Sequence, residues 1–423
     1  MLTLKLLRKQ PDFVIERLAV KNFDASQIVK DILEADSLRR ASQTKLDSTL
    51  AEQNQKAKEI GMLMKQGNKE EAENVKKLVA QLKEQSKELE AQMEEHNKAM
   101  NDLLVLLPNI PCAQVPAGKT AEDNVVVREG GCKTTLPANA KPHWELAKSL
   151  DIIDFDLGVK LTGAGFPVYK DKGAKIQRAL ISFFLDRNTR AGYMEVQPPL
   201  VVNEASAYAT GQLPDKEGQM YHVGLDNFYM IPTAEVPVTN IYRDCIVNKA
   251  DFPIKMTAYT QCFRREAGSY GKDVRGLNRL HQFDKVEIVQ LSLPENSYEA
   301  LDGMVKHVES IIQELELPYR ILRLCGGDMS FTSAITYDFE VYSEAQQRWL
   351  EVSSVSNFES FQANRLKLRY RDANKKTQLA HTLNGSSLAL PRIVAALLEN
   401  NQTAEGIRIP EVLVPYTGFD IIK

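Results

Sequence analysis

The sequence predicts an α+β protein: an N-terminal antiparallel helical hairpin of coiled-coil character, then a mainly antiparallel sheet flanked by helices. Three observations predict this. Between Pro11 and Pro108 there is no proline and only Gly61 and Gly67, in a stretch dominated by Ala, Leu, Lys, Glu and Gln, which is the composition of long helix. A proline-rich break at Pro108, Pro111 and Pro116 ends that pattern. From His143 onward, helical stretches alternate with strand-like runs, the order of an α+β domain.

Within the first segment, Gly67-Asn68 is the one credible turn, because both residue types tolerate a left-handed backbone and Gly ends helices well. In the second arm, Val75, Leu78, Leu82, Leu89, Met93, Met100, Leu103 and Leu107 fit a 3,4 repeat, with Gln85 and His96 filling the gaps. The first arm is less regular, with an apolar stripe of Ile28, Ile32, Ala35, Leu46, Leu50, Ile60 and Leu63. Arms of about 35 to 40 residues are roughly 55 to 60 Å long, enough to project well beyond a globular body. Taken alone, such a hairpin reads as a dimerisation rod, and its lysines and glutamates balance too closely to point to a nucleic acid.

The break leads into a second domain, so residues 1–110 are read as the hairpin domain and 111–423 as the second, with a linker at about 108–120. Val125-Val126-Val127 starts the strand-like runs. Ala174 to Ala191 and Ser297 to Leu317 read as helices, and Phe228 to Ile231, Lys285 to Leu291, Tyr337 to Tyr342 and Leu350 to Ser354 as strands.

The chain carries 53 basic and 56 acidic residues, so no global positive field announces a nucleic-acid partner, and any RNA affinity must be local. Five scattered cysteines form no C-x-x-C pair, which reads as free thiols in a reducing compartment. No run of about 18 apolar residues and no targeting pattern is present, so a cytoplasmic protein without a membrane partner is expected. Neither of the familiar glycine-rich phosphate loops occurs. The six histidines are scattered, and no structural zinc is expected.

The most informative segment runs Phe263-Arg264-Arg265-Glu266-Ala267-Gly268, through a glycine-rich loop to Gly276, then His281-Gln282-Phe283-Asp284-Lys285-Val286-Glu287. An arginine at a strand end facing a loop suits a forked contact to carboxylate or phosphate. This string resembles motif 2 of seryl-tRNA synthetases, which are class II enzymes. Three more segments extend the resemblance over essentially the whole chain: Thr233-Ala234-Glu235-Val236-Pro237, Glu351-Val352-Ser353-Ser354, and Thr382 to Arg392, similar to motif 3. The long hairpin also matches what bacterial-type members place before the catalytic domain.

The resemblance implies an ATP-dependent ligase that makes seryl-adenylate and passes serine to the 3' end of tRNA(Ser), and to tRNA(Sec) in some members. It implies catalytic roles for Arg264, bridging the serine carboxylate and the ATP α-phosphate, and for Arg392 on the γ-phosphate. Thr233, Ala234, Glu235, Glu287 and Ser386 would line the serine pocket. Arg265, Glu266, Leu280, Phe283, Glu351, Val352, Ser353 and Ser354 would border ATP, with Glu351 and Ser354 ligating Mg²⁺. The hairpin would contact tRNA. Gly192 to Pro199 is similar to motif 1, implying a homodimer. Arg265, Ser387 and Pro391 depart from the family, which commonly carries small residues there. An amino acid:carrier protein ligase and an inactive RNA-binding paralogue are the alternatives. The hairpin argues against the first, and the retained Arg264, Glu351 and Arg392 against the second.

Overall fold

The structure is a computed structural model that describes residues 1–266 and 275–423. The glycine-rich stretch after Glu266 falls largely within 267–274, outside the described residues. The chain forms two compact units, Leu2–Ala19 with Phe23–Pro108, and Met1 with Val20–Asn22 and Asn109–Lys423.

The first unit is built on α1 (Ser26–Gln66) and α2 (Lys69–Leu104). Gly67 sits between them at φ 85°. Its N–H donates to Met64 O, and the Asn68 N–H to Leu63 O, so the turn closes on a left-handed residue that only glycine adopts without strain. In α2, Leu82, Leu89 and Met100 are buried and Val75, Leu78 and Met93 half-buried, as the repeat predicts. Gln85, expected in the seam, is exposed, and Ser86 is buried instead, its hydroxyl turned back to Lys83 O at 2.9 Å.

The first arm differs more from its apolar pattern. The buried residues are Val29, Ile32, Asp36, Ser42, Leu46 and Thr49, while Ile28 and Ala35 lie only half-buried on the flank. The seam keeps its 3,4 spacing but runs through polar residues. Asp36 is tolerated there because Arg8, Arg39 and Arg40 bring guanidinium nitrogens to within 2.6, 3.2 and 3.2 Å of its carboxylate. The hydrogen bond from Arg8 is the main force holding its pKa below the usual range, as a buried charge requires.

The second unit centres on an eight-stranded sheet among the described residues. Its strands are β1 (Val125–Gly130), β2 (Met194–Glu195), β3 (Ile254–Phe263), β4 (Gln282–Ser292), β5 (Tyr319–Arg323), β6 (Ile335–Ser343), β7 (Arg348–Asn357) and β8 (His381–Ala389). Their spatial order is β1-β5-β6-β7-β8-β4-β3-β2. Every pairing is antiparallel except β2 on β3. The helices that matter for the site are α3 (His143–Ser149), α4 (Asp171–Arg190), α5 (Glu235–Asn240), α6 (Ser297–Glu314), α7 (Ser360–Leu366) and α8 (Leu390–Asn400).

Strand alternation sends successive side chains to opposite faces. One face carries Val286, Ile288, Phe339, Val355 and Leu383 into a core shared with Ile176, Leu180 and Phe183 of α4, Leu301 and Met304 of α6, and Ile393 and Leu397 of α8. The register places Glu287 opposite Ser386, Val289 opposite Asn384, and Asn384 opposite Ser356. The other face is therefore polar in its centre. A polar patch on a central strand, where packing alone would select apolar residues, marks a candidate functional face.

Candidate active site

On the polar face, β4 contributes Phe283, Lys285 and Glu287, and β8 contributes Thr382, Asn384 and Ser386. Glu287 is 2% exposed. Its Oε2 accepts from Thr233 Oγ1 at 3.3 Å and from Ser386 Oγ at 3.5 Å, and Lys285 Nζ stands 2.6 Å from it. The same ammonium donates to Thr233 Oγ1 at 2.7 Å. Thr233 also accepts the Glu235 backbone N–H at 3.2 Å, which ties the first turn of α5 to the sheet. Thr233, Glu235, Glu287 and Ser386 thus converge, while Ala234 is fully buried in a small core cluster.

Glu235 keeps some surface on the cleft. Burial, and secondly the Glu287 charge, push its pKa up to about 7. Gln362, Lys285 and Asn384 oppose that shift. Gln362 of α7 donates to Glu235 Oε1 at 2.5 Å and is itself held by Thr382 Oγ1 at 2.7 Å. Asn384 gives weaker support, at a separation that leaves its buried Nδ2 without a full hydrogen bond.

At the end of β3, Arg264 lies with its guanidinium 5.2 Å from the Phe283 ring centroid, and its Nε donates to Pro232 O at 3.3 Å. Its position over the aromatic face fixes the fork without neutralising it. Arg265 is exposed, so its bulk meets solvent. Glu266 accepts from Arg279 at 2.8 Å. Leu280 is buried and Phe283 half-buried.

At the start of α8, Arg392 donates through Nε to Asn278 O at 2.9 Å and through Nη1 to Glu351 O at 2.6 Å. Its Nη1 is 3.8 Å from the Glu351 carboxylate. Val352 is buried in the core, and the Ser353 hydroxyl donates to Ser386 O at 2.6 Å, so both side chains are committed within the protein. Ser354 donates to Asp338. Burial, then the Glu351 charge, push the Asp338 pKa well up. The other two departures are absorbed locally. Ser387 is fully buried and donates to Asn188 Oδ1 at 2.9 Å. Pro391 occupies the first turn of α8, where no backbone N–H is required.

Four residues around this site take no role from the sequence motifs: Lys285, Asp338 and Asn384 on the sheet, and Gln362 on α7. Lys285 lies inside the motif 2 string, between Phe283 and Glu287, and alternation alone would have put it on their face. A separate depression of about 370 Å³, lined among others by Tyr193, Lys255, Gln290 and His307, holds none of the expected site residues. Among the described residues no group of three or more His, Cys, Asp or Glu could hold a metal ion, and no helix is long and apolar enough to cross a membrane.

An antiparallel sheet carrying paired arginines and these motif strands defines a class II aminoacyl-tRNA synthetase, and residues 221–401 match the class II tRNA synthetase core domain (G, H, P, S and T). Residues 1–111 match the seryl-tRNA synthetase N-terminal domain. A serine–tRNA ligase of Salinibacter ruber is 51% identical over 421 residues, 99% of this chain and 98% of that one. Seryl-tRNA synthetase from Pyrococcus horikoshii, solved in complex with ATP, superposes with a TM-score of 0.92 at 34% identity, covering 100% of this chain and 99% of that one. The cytoplasmic serine–tRNA ligase of Naegleria fowleri, in complex with AMP, gives a TM-score of 0.88 at 26% identity over 100% and 99%. The chain belongs to the seryl-tRNA synthetase family.

Proposed function

We infer that this chain is an ATP-dependent serine–tRNA ligase, forming seryl-adenylate and pyrophosphate and then charging tRNA(Ser). The observation that carries the amino-acid assignment is the buried polar cluster of Glu287, Thr233 and Ser386. A pocket whose own groups need a hydroxyl partner rejects alanine by about 10⁴-fold, because the analogue leaves them unpaired. Threonine is excluded more weakly, by its extra methyl.

Glu235 and Thr233 receive the substrate ammonium, and Glu287 and Ser386 its hydroxyl. Arg264 bridges the serine carboxylate and the α-phosphate, which places the carboxylate oxygen to attack phosphorus as pyrophosphate leaves. Phe283 stacks on adenine, Glu266 and the Leu280 backbone border it, and Arg265 lies alongside. Arg392, already turned toward Glu351, holds the γ-phosphate. Positioning and charge neutralisation by the two guanidinium groups suffice without a general base.

Glu351, Ser354 and the buried carboxyl of Asp338 form an oxygen-rich corner, in which Glu351 and Ser354 would hold Mg²⁺ carried in on ATP. Bound there, the ion would add neutralisation of the phosphates. The backbone of Val352 and Ser353 borders the same corner. The hairpin grips the tRNA outside its acceptor end. The exposed Met194 and Val201, within and just beyond the motif 1 segment, support a homodimer through that region. Cytoplasmic residence accords with the free cysteines.

The test is serine-dependent ATP–pyrophosphate exchange across the amino acids, followed by charging of total tRNA. Exchange with serine and charging of serine tRNA support the assignment. Exchange without charging would make the chain a carrier-protein ligase, and silence in both an inactive paralogue.

A further inference from the structure

We propose that His143 is a positioning residue for the ATP-binding arginine of motif 3, acting through a closed hydrogen-bonded brace that ties both ends of α8 to residues 277–278. His143 and Glu399 are both fully buried, and Asn278 is 5% exposed. The imidazole Nε2 accepts the Leu277 backbone N–H at 2.7 Å. The proton therefore sits on Nδ1, which donates to Glu399 Oε1 at 2.7 Å, and this pattern assigns the tautomer. Glu399 Oε1 also accepts the His143 backbone N–H at 2.8 Å.

A second limb runs parallel. Gln346 donates through Nε2 to both Glu399 oxygens, at 2.9 and 3.1 Å, and accepts from Asn278 Nδ2 at 3.1 Å. The brace closes at the other end of the helix, where Arg392 Nε donates to Asn278 O. Arg392 and Glu399 are two turns apart on α8, about 10 Å along its axis. The segment that Arg392 leans on is thus held in register by the far end of its own helix.

Two contacts show that the approach is a built one. A Cβ on Gly276 would lie 2.2 Å from His143 Nε2, and Gly276 has φ +65°, so only glycine lets the chain pass this close. The guanidinium of the preceding Arg275 lies 4.8 Å from the Trp144 ring centroid. The imidazole donates to Glu399 and accepts from Leu277 at once. Its loss frees the Asn278 carbonyl to drift, and Arg392 with it, while the serine pocket on β4 and β8 keeps its own hydrogen bonds.

This inference rests on the assignment of Arg392 to ATP, so the experiment includes Arg392→Ala. The KM for ATP and for serine are measured in pyrophosphate exchange, together with the thermal midpoint, for His143→Asn, His143→Gln and Gln346→Met. Asparagine can donate to Glu399 but falls short of Leu277, whereas glutamine places an acceptor near the position of Nε2. His143→Asn is expected to raise the KM for ATP about tenfold, the effect of one buried hydrogen bond, and to leave the KM for serine unchanged. His143→Gln recovers most of that loss. Gln346→Met, which cuts the second limb from a half-buried position, is expected to raise the KM for ATP about threefold, and it decides the matter if His143→Asn fails to fold. Equal rises in both KM values, or failure of glutamine to rescue, would overturn the brace. If Arg392→Ala leaves the KM for ATP unmoved, the ATP assignment fails instead.

Discussion

Serine binding should weaken on acidification because of Glu235. Its carboxyl must be ionised to receive an ammonium, yet burial and the neighbouring Glu287 push its pKa up to about 7. At pH 6 about nine in ten of these carboxyls are protonated and at pH 8 about one in ten, so the KM for serine should rise about tenfold between pH 8 and pH 6. The KM for ATP should hold steady, since a guanidinium is a permanent cation. Pyrophosphate exchange at saturating ATP, run across that range, reads both. Glu235→Gln should raise the KM for serine roughly 100-fold at pH 8 and remove its pH dependence. A KM for serine constant to within about twofold over the range, or a parallel rise for ATP, would refute the reasoning. The stability sign is opposite to that of an ordinary carboxylate. Between the usual carboxylate value and about 7 the folded state holds more protons than the unfolded chain, so this group's contribution to stability falls as pH rises.

Other expectations follow from the same geometry. Arg264→Ala should lower adenylate formation by about 10³-fold or more while tRNA affinity, read by filter binding, stays near the parent value; equal loss of both would remove its assigned role. Lys285→Met leaves Glu287 buried without its cation and should cost about 3–5 kcal/mol in urea unfolding; a loss under about 1 kcal/mol would mean that the ion pair is not what stabilises the site. Replacing Asp31 to Leu103 by a short bridge should spare exchange and cripple charging, and retained charging would show that the hairpin is not the tRNA grip. Gly67→Ala meets no atom within 4 Å, so its cost should be the left-handed backbone alone, about 1 kcal/mol, seen as a lowered thermal midpoint.

The hairpin was legible in the sequence because a long proline-free stretch with one Gly-Asn has few alternatives. Its second arm carried a regular apolar repeat. Its first arm did not, since Asp36, Ser42 and Thr49 take seam positions that hydrophobicity cannot reveal, and Asp36 depends on Arg8, 28 positions away. The strand-borne motif residues were legible as strings, and alternation explains why Phe283 and Glu287 share a face. Lys285 was passed over because lysine is usually solvated. Gln362 was invisible for another reason: it reaches Glu235 across 127 positions of sequence, and only the α7–sheet packing brings them together. Asp338 lies in the strand-like run Tyr337 to Tyr342 but outside the four motif segments, and acquires meaning only through its register opposite Ser354.

The ammonium of Lys285, set between Thr233 and Glu287, has a consequence for selectivity of another kind. Two neighbouring carboxyls would otherwise make a chelating pair, attractive to calcium, manganese or zinc. A tethered internal cation spoils that trap, because an incoming dication meets a fixed positive charge and a carboxylate already engaged. In the proposed function, serine's ammonium still enters from the Glu235 side, bringing a single charge and its own hydrogen-bond donors. Under the proposed assignment, the amino-acid subsite is in this way guarded against inorganic competitors.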